Sequence, residues 1–136
     1  MLKASRIDRA AAGEDPSHDP YVARELYFEG EVNVQSLIGP GESDDLELLA
    51  VFFEGGARTR PHIHERDQAL HFLSGEGIVV SESEELRAAA GDVVLTPAGT
   101  WHWHGAVVEG DACHVSIRRP GRTDWNVDER DWARRR

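Results

Sequence analysis

The fold prediction rests on two similar stretches of sequence. They are Pro61-His62-Ile63-His64-Glu65-Arg66-Asp67-Gln68 and Pro97-Ala98-Gly99-Thr100-Trp101-His102-Trp103-His104. Each stretch begins at turn-forming residues and contains a His-x-His pair. In an extended strand, side chains two positions apart point to the same face, so the two imidazoles of each pair are aimed at one spot. Two such pairs in one short chain predict that their histidines share a metal.

The composition indicates a soluble globular protein with a single domain. The chain has 136 residues, of which 40% are hydrophobic and 29% are charged, and this length suits one domain. No apolar run approaches the roughly 20 residues that a membrane-crossing helix requires, so we expect no membrane partner. The lone Cys113 excludes an internal disulfide framework and is typical of a reducing compartment. A cytoplasmic location is therefore predicted.

The charge argues against a nucleic-acid partner. The formal net charge is −10, whereas binding to phosphates depends on clustered lysine and arginine side chains. The expected partner is a small-molecule ligand or substrate, which the paired histidines indicate.

Short β-like runs separated by turn residues predict an all-β protein, a sandwich or a closed barrel. We expect an irregular segment at 1–20, the barrel at 21–120 and a tail at 121–136. The glycines of Gly75-Glu76-Gly77 are interpreted as a turn between two strands. The predicted strands are 32–38, 46–53, 69–73, 78–80, 86–89, 93–95 and 112–118.

The two ends of the chain carry fewer signals. His18 lies among turn-forming residues and is expected to be an exposed loop residue. Residues 124–132 have acids early and arginine late, which suits a short helix. Trp125 and Trp132 would then share a face and pin the tail to the barrel or to a second subunit. Exposed sheet edges and these spare tryptophans predict a homodimer.

The spacing of the two histidine stretches resembles the two signatures of the cupin superfamily. The first runs from Gly56 through five residues to His62-Ile63-His64, then three residues to Gln68 and six to Gly75. The second runs from Gly91 through five residues to Pro97, Gly99 and His102. The resemblance covers 46–118 and is greatest to short, single-domain cupins of the quercetin-dioxygenase-like kind, which share the run His102-Trp103-His104-Gly105-Ala106.

The resemblance implies a fold and a ligand set. The fold is a double-stranded β-helix, that is, a jelly-roll barrel that holds a metal inside. The ligands carried over position by position are His62, His64, Gln68 and His102. Imidazole nitrogens suit divalent transition metals, so the expected cofactor is Fe, Mn, Ni or Zn.

Two positions depart from the cupin signatures. Gln68 replaces the usual glutamate ligand and Ala106 replaces the terminal asparagine. A glutamine oxygen can coordinate a metal but brings no charge, so the metal would attract an anionic ligand more strongly. The alternative is that Gln68 is a polar wall residue of a site that binds no metal.

Strand parity adds further candidates for the site. Leu70 and Phe72 follow Gln68 at even spacing and are expected to line an apolar pocket. His104 shares the inward parity of His102 and is a candidate catalytic base, or alternatively a histidine at the barrel rim bonded to a carboxylate. His114 lies opposite the apolar side of its strand and is expected to face the cavity as a second catalytic candidate.

The leading hypothesis is therefore a metal-dependent enzyme acting on a small, anionic, enolisable or aromatic molecule. Dioxygenase, decarboxylase and isomerase reactions are all compatible with it, because one fold supports many chemistries. The alternative is a small-molecule binding or sensing module without turnover. A sugar epimerase is disfavoured. Such a cupin would use a metal-free acid–base pair, whereas this chain has a cluster of four histidines.

Overall fold

A computed structural model describes residues 1–135, so residue 136 of the predicted tail lies outside the described residues. The described chain is built almost entirely from β-strands and short 3-10 turns. The eleven strands are β1 (Phe28–Glu29), β2 (Val32–Ile38), β3 (Glu47–Phe53), β4 (Arg58–Thr59), β5 (Ile63–His64), β6 (Gln68–Ser81), β7 (Glu85–Ala89), β8 (Val93–Thr96), β9 (His102–Ala106), β10 (Ala112–Arg118) and β11 (Thr123–Asp124).

The long strand β6 joins two sheets into a barrel. Its first half pairs with β10 and β8, and β10 continues through β3 to β2. Its second half pairs with β7 and β9, and β9 continues through β4 to β1. All of these pairs are antiparallel. The predicted all-β jelly roll is confirmed.

The predicted turn at Gly75-Glu76-Gly77 is wrong, because β6 continues through it. Gly75 has a φ of +71°, which L side chains rarely adopt, and a Cβ there would lie 1.9 Å from the carbonyl oxygen of Asp111. A Cβ at Gly77 would lie 1.9 Å from the ring of Phe72. The glycines therefore let β6 cross between the sheets at close range instead of reversing its direction.

The barrel interior contains two apolar clusters with a histidine between them. Phe53 belongs to a cluster with Val34, Leu49 and neighbours, and Phe72 belongs to another. His114 contacts both phenylalanine rings, with centroid distances of 5.3 Å and 5.2 Å. Each phenylalanine is almost fully buried, which stabilises the fold by roughly 1.5–3 kcal/mol per side chain.

The C-terminal tail lies against the barrel in an extended form. The predicted helix over 124–132 is not formed, since β11 pairs with β5 and only Trp132–Arg134 makes a 3-10 turn. Arg58 donates hydrogen bonds to the carbonyl oxygens of Trp132 and Arg135. These contacts fix the tail to the barrel wall.

The N-terminal segment is irregular apart from a 3-10 turn at Arg9–Ala11 and a bridge between Gly13 and Val34. In the described part of the chain the helical elements are three-residue turns, and none is long or apolar enough to cross a membrane. The homodimer and the cytoplasmic location stay predictions.

Gly105 in β9 provides a test of the barrel packing. A Cβ at this position would lie 2.3 Å from the carbonyl oxygen of Ala57 and 2.6 Å from the Cα of Arg58. Replacement by alanine, Gly105→Ala, should separate β4 from β9 and lower the free energy of unfolding by about 1–3 kcal/mol in urea denaturation. Gly110→Ala is the control, because a Cβ there meets nothing within 4 Å. Equal unfolding midpoints for the two variants would contradict this packing.

Candidate metal centre

A backbone bridge brings the two histidine stretches together. The backbone N–H of His62 donates to the carbonyl oxygen of His102 at 2.9 Å, and the reverse hydrogen bond is 3.1 Å long. The ring centroids of these two residues are consequently 4.3 Å apart. His64 lies two positions along the chain on the same face, with its ring 4.9 Å from that of His62.

The three histidines form a compact group of potential ligand atoms. One nitrogen from each of His62, His64 and His102 lies within 4.8 Å of the others. Their residues are only 2%, 6% and 1% exposed. The group contains no carboxylate, so the donor set that the strands bring together is neutral.

The outer nitrogen of each ring is already hydrogen-bonded. Nδ1 of His62 lies 2.7 Å from the carbonyl oxygen of Arg60, and Nδ1 of His102 lies 2.9 Å from that of Thr100. A carbonyl only accepts, so both Nδ1 atoms carry the proton and Nε2 keeps its lone pair. Nδ1 of His64 lies 2.8 Å from Oγ1 of Thr123, and its Nε2 is buried without a hydrogen-bond partner. This arrangement of outer contacts is typical of histidines that bind metals.

Burial keeps these imidazoles neutral. It is the main cause that lowers the pKa of His62 well below its usual value, and the neighbouring histidines lower it further. Burial, followed by His102 and Arg118, lowers the pKa of His64 to about 3. Burial also lowers the pKa of His102 to about 4. At neutral pH the three nitrogens therefore offer lone pairs.

Gln68 supplies a fourth lone pair to the same group. Its Nε2 donates to Oγ of Ser116 at 2.9 Å, and this leaves its Oε1 facing Nε2 of His102 at 3.2 Å. With His102 neutral and protonated at Nδ1, two acceptor atoms face each other, which is repulsive. A cation bound by this donor set removes the repulsion, so the residues present fit a divalent transition metal.

His104 and His114 form a second, fully buried pair beside the group. Nε2 of His114 lies 3.3 Å from Nδ1 of His104. Burial is the largest cause that lowers the pKa of both side chains, to about 3 for His114. Nε2 of His104 and Nδ1 of His114 have no hydrogen-bond partner among the described residues. His104 thus pairs with a histidine and not with the carboxylate that the rim alternative required.

His62, His64 and Gln68, together with this pair, border a cavity of about 570 Å³, a size typical of small-molecule sites. Leu70 and Phe72, predicted to line it, do not border it. They are fully buried and pack against Val79 and Ala88 in their own apolar cluster. Their parity is inward as expected, but they lie in the packed part of β6 beyond the cavity.

The cavity residues outside the two histidine stretches include three from the ends of the chain, which are His18, Thr123 and Trp125. The prediction of an exposed His18 is wrong, since its side chain is 14% exposed, stacks on Tyr27 at 3.9 Å and pairs with Asp15 at 3.3 Å. Trp125 stacks on His62 at 4.2 Å. With Thr123, it brings the tail into the site. The spacing of residues along the chain does not predict such long-range contacts. The predicted packing of Trp125 on the barrel was a partial indication of them.

A family model and several known proteins match this chain. A family model described as a Cupin domain matches residues 49–118. The (R)-mandelonitrile lyase of Granulicella tundricola is 30% identical over 120 residues, which cover 86% of this chain and 84% of the lyase. The acireductone dioxygenase of Frankia alni is 32% identical over 95 residues, which cover 65% of this chain and 44% of that protein. A cupin-like protein from Thermotoga maritima superposes with a TM-score of 0.74 at 27% identity, covering 88% of each chain.

The buried neutral histidines predict an acid-sensitive fold for the metal-free protein. Their pKa values in the folded state are lowered, to about 3 for His64 and His114 and about 4 for His102. The unfolded chain therefore binds more protons as the pH falls below about 6.5, so stability present at neutral pH is lost toward pH 4. Each histidine contributes up to about 1.4 kcal/mol per pH unit. Urea denaturation of EDTA-treated protein measures this loss, and an unchanged midpoint between pH 7 and pH 5 would contradict it.

Proposed function

The chain belongs to the cupin family, and from this premise we propose that it is a divalent-metal-dependent enzyme that acts as a lyase on a small hydroxylated molecule. The observation that carries the proposal is the convergence of the Nε2 atoms of three buried imidazoles with the amide oxygen of Gln68. Three of these side chains are oriented by hydrogen bonds at Nδ1, so the site is organised before any ligand arrives.

The residues that would hold the metal are His62, His64, His102 and Gln68. Bound there, a divalent ion of Fe, Mn, Ni or Zn supplies Lewis-acid polarisation of a substrate oxygen. The four ligands are neutral, so they leave the positive charge of the ion uncompensated. An oxygen that becomes negative during the reaction is favoured in such a site.

The His104–His114 pair is proposed to move the proton. When Nδ1–H of His104 donates to Nε2 of His114, the Nε2 lone pair of His104 is free to accept the hydroxyl proton of a substrate. His114 then holds the ring of His104 in that tautomer from between the rings of Phe53 and Phe72. The two aromatic rings pack against His114, and the proton that His104 accepts is then available for the departing group.

The relatives favour a lyase over an oxygenase. Mandelonitrile is a cyanohydrin, and its cleavage by a lyase requires a base for the hydroxyl proton; the relative with that name matches most of this chain. The acireductone dioxygenase shares less than half of its own length. The metal group also lacks the carboxylate of the two-histidine, one-carboxylate sites typical of many iron oxygenases. The assignment to quercetin-dioxygenase-like cupins is therefore the weaker part of the resemblance.

Metal content tests the proposed site. Protein purified without a histidine tag should bind about one equivalent of a divalent transition metal per chain, and His102→Ala should lose most of it, because one of three imidazoles is removed. His71→Gln is the matched control, since His71 lies half-buried on the other face of β6. Elemental analysis and zinc titration are the measurements. Less than about a tenth of an equivalent in the wild type would instead support a metal-free site in which Gln68 is a wall residue.

Turnover tests the proton-transfer role. Cyanohydrins, 2-hydroxy acids, keto acids, diketones and catechols should be screened with the Fe-, Mn-, Ni- and Zn-loaded protein, with and without oxygen. We expect cleavage that persists without oxygen, and a loss of about 10²–10⁴-fold in kcat for His114→Gln at unchanged metal content. His71→Gln should keep full activity.

Two outcomes would contradict the lyase. Product formation only in the presence of oxygen would indicate dioxygenase chemistry. Binding of these ligands without product under every metal would favour the non-catalytic binding module.

A further inference from the structure

Three polar side chains on adjacent strands border the cavity. Arg118 at the end of β10 is directly paired with Glu47 of β3 on one side and with Gln68 of β6 on the other. Arg118 therefore lies on the strand adjacent to that of Gln68, which is one of the proposed metal ligands.

The hydrogen bonds of Arg118 leave donor capacity unused. Its side chain is only 8% exposed and that of Glu47 only 6%. Nη2 donates to Oε1 of Glu47 at 3.1 Å and Nη1 donates to the carbonyl oxygen of Gly121 at 3.3 Å. A guanidinium has five N–H donors in a fork that matches a carboxylate. Among residues 1–135, two of these donors are bonded, one of them through a long contact, and the others remain for a ligand.

The charges of the cavity favour an anion. Glu47 balances Arg118, while the four proposed metal ligands are neutral. Asp15, Asp19 and Arg122 also border the cavity, so a divalent ion would leave an excess of about one positive charge there, although the whole chain carries a net charge of −10. A buried charge is costly unless it is paired, so an anionic ligand satisfies both the ion and the unused donors of Arg118.

We propose that Arg118 binds the carboxylate of the substrate, so that the substrate class is a small organic acid. This inference deepens the proposed function, on which it rests for the reaction but not for the binding. Arg118 is a specificity-determining residue, and Glu47 restrains its guanidinium within the cavity. The aromatic part of the cavity lining, formed by Tyr27, Phe28 and Trp125, accepts the apolar part of the ligand.

The test compares two ligands of the same shape and different charge. Mandelate and mandelamide, an aromatic 2-hydroxy acid and its amide, are titrated by calorimetry into metal-free and zinc-loaded protein. Four proteins are compared: the wild type, Glu47→Gln, the double variant Glu47→Gln/Arg118→Gln, and Arg119→Gln. The double variant avoids leaving a buried charge unpaired, and Arg119 is the adjacent, 58% exposed control. Circular dichroism and zinc content verify that each variant is folded and loaded.

The ratio of mandelate affinity to mandelamide affinity is expected to change differently in each variant. The wild type should bind mandelate at least about tenfold more tightly than mandelamide, and Glu47→Gln should increase this ratio because it frees the guanidinium. The double variant should reduce the ratio at least about fivefold at unchanged zinc content, and Arg119→Gln should leave it unchanged. An equal ratio in the double variant and the wild type, or no preference for mandelate in the wild type, would overturn the proposal.

Failure of the metal site would be recognised separately. If the wild type bound no zinc, the proposed function would fail, but the mandelate preference of the metal-free protein would still report on Arg118. If zinc bound and the preference did not depend on Arg118, only the carboxylate-binding role would be lost.

Discussion

The pair of backbone hydrogen bonds between His62 and His102 is the constraint on which the site depends. It joins two segments that belong to different parts of the barrel, and it fixes their imidazoles at van der Waals distance. Because Nδ1 of each ring is held by a carbonyl oxygen, the Nε2 lone pair of His102 faces the amide oxygen of Gln68 at 3.2 Å. The backbone thus creates a local conflict between acceptors, and a bound cation resolves it.

This arrangement has a cost in stability. Burial of polar rings without hydrogen-bond partners is unfavourable, and three buried imidazole nitrogens of the described chain are in this state. The surrounding aromatic packing offsets part of the cost, since Phe53 and Phe72 enclose His114, and Trp125 covers His62. Ligand binding would offset more, because a metal that binds only the folded chain stabilises it. The buried polar atoms that lack hydrogen-bond partners therefore lie where a bound ligand would supply them.

Local spacing predicted the convergence of the histidines, because the two-residue period of a strand decides which side chains share a face. The same period placed His104 and His114 inward, and β2 and β10 have the predicted bounds. It failed where contacts are set by distant segments. The glycines of β6 have the composition of a turn, yet the approach of Asp111 and Phe72 makes them a crossing point. The covering of His62 by Trp125, the bond from His64 to Thr123 and the burial of His18 likewise depend on how the two chain ends fold over the cavity.

An anomalous-scattering map from a crystal of the metal-loaded protein is the most direct test of a metal shared by the three histidines. We expect one strong peak inside the barrel, about 2.0–2.2 Å from the Nε2 atoms of His62, His64 and His102. If the protein is loaded with metal in solution, a map with peaks only on the protein surface would contradict this site. Three imidazoles that point away from the peak would also contradict it.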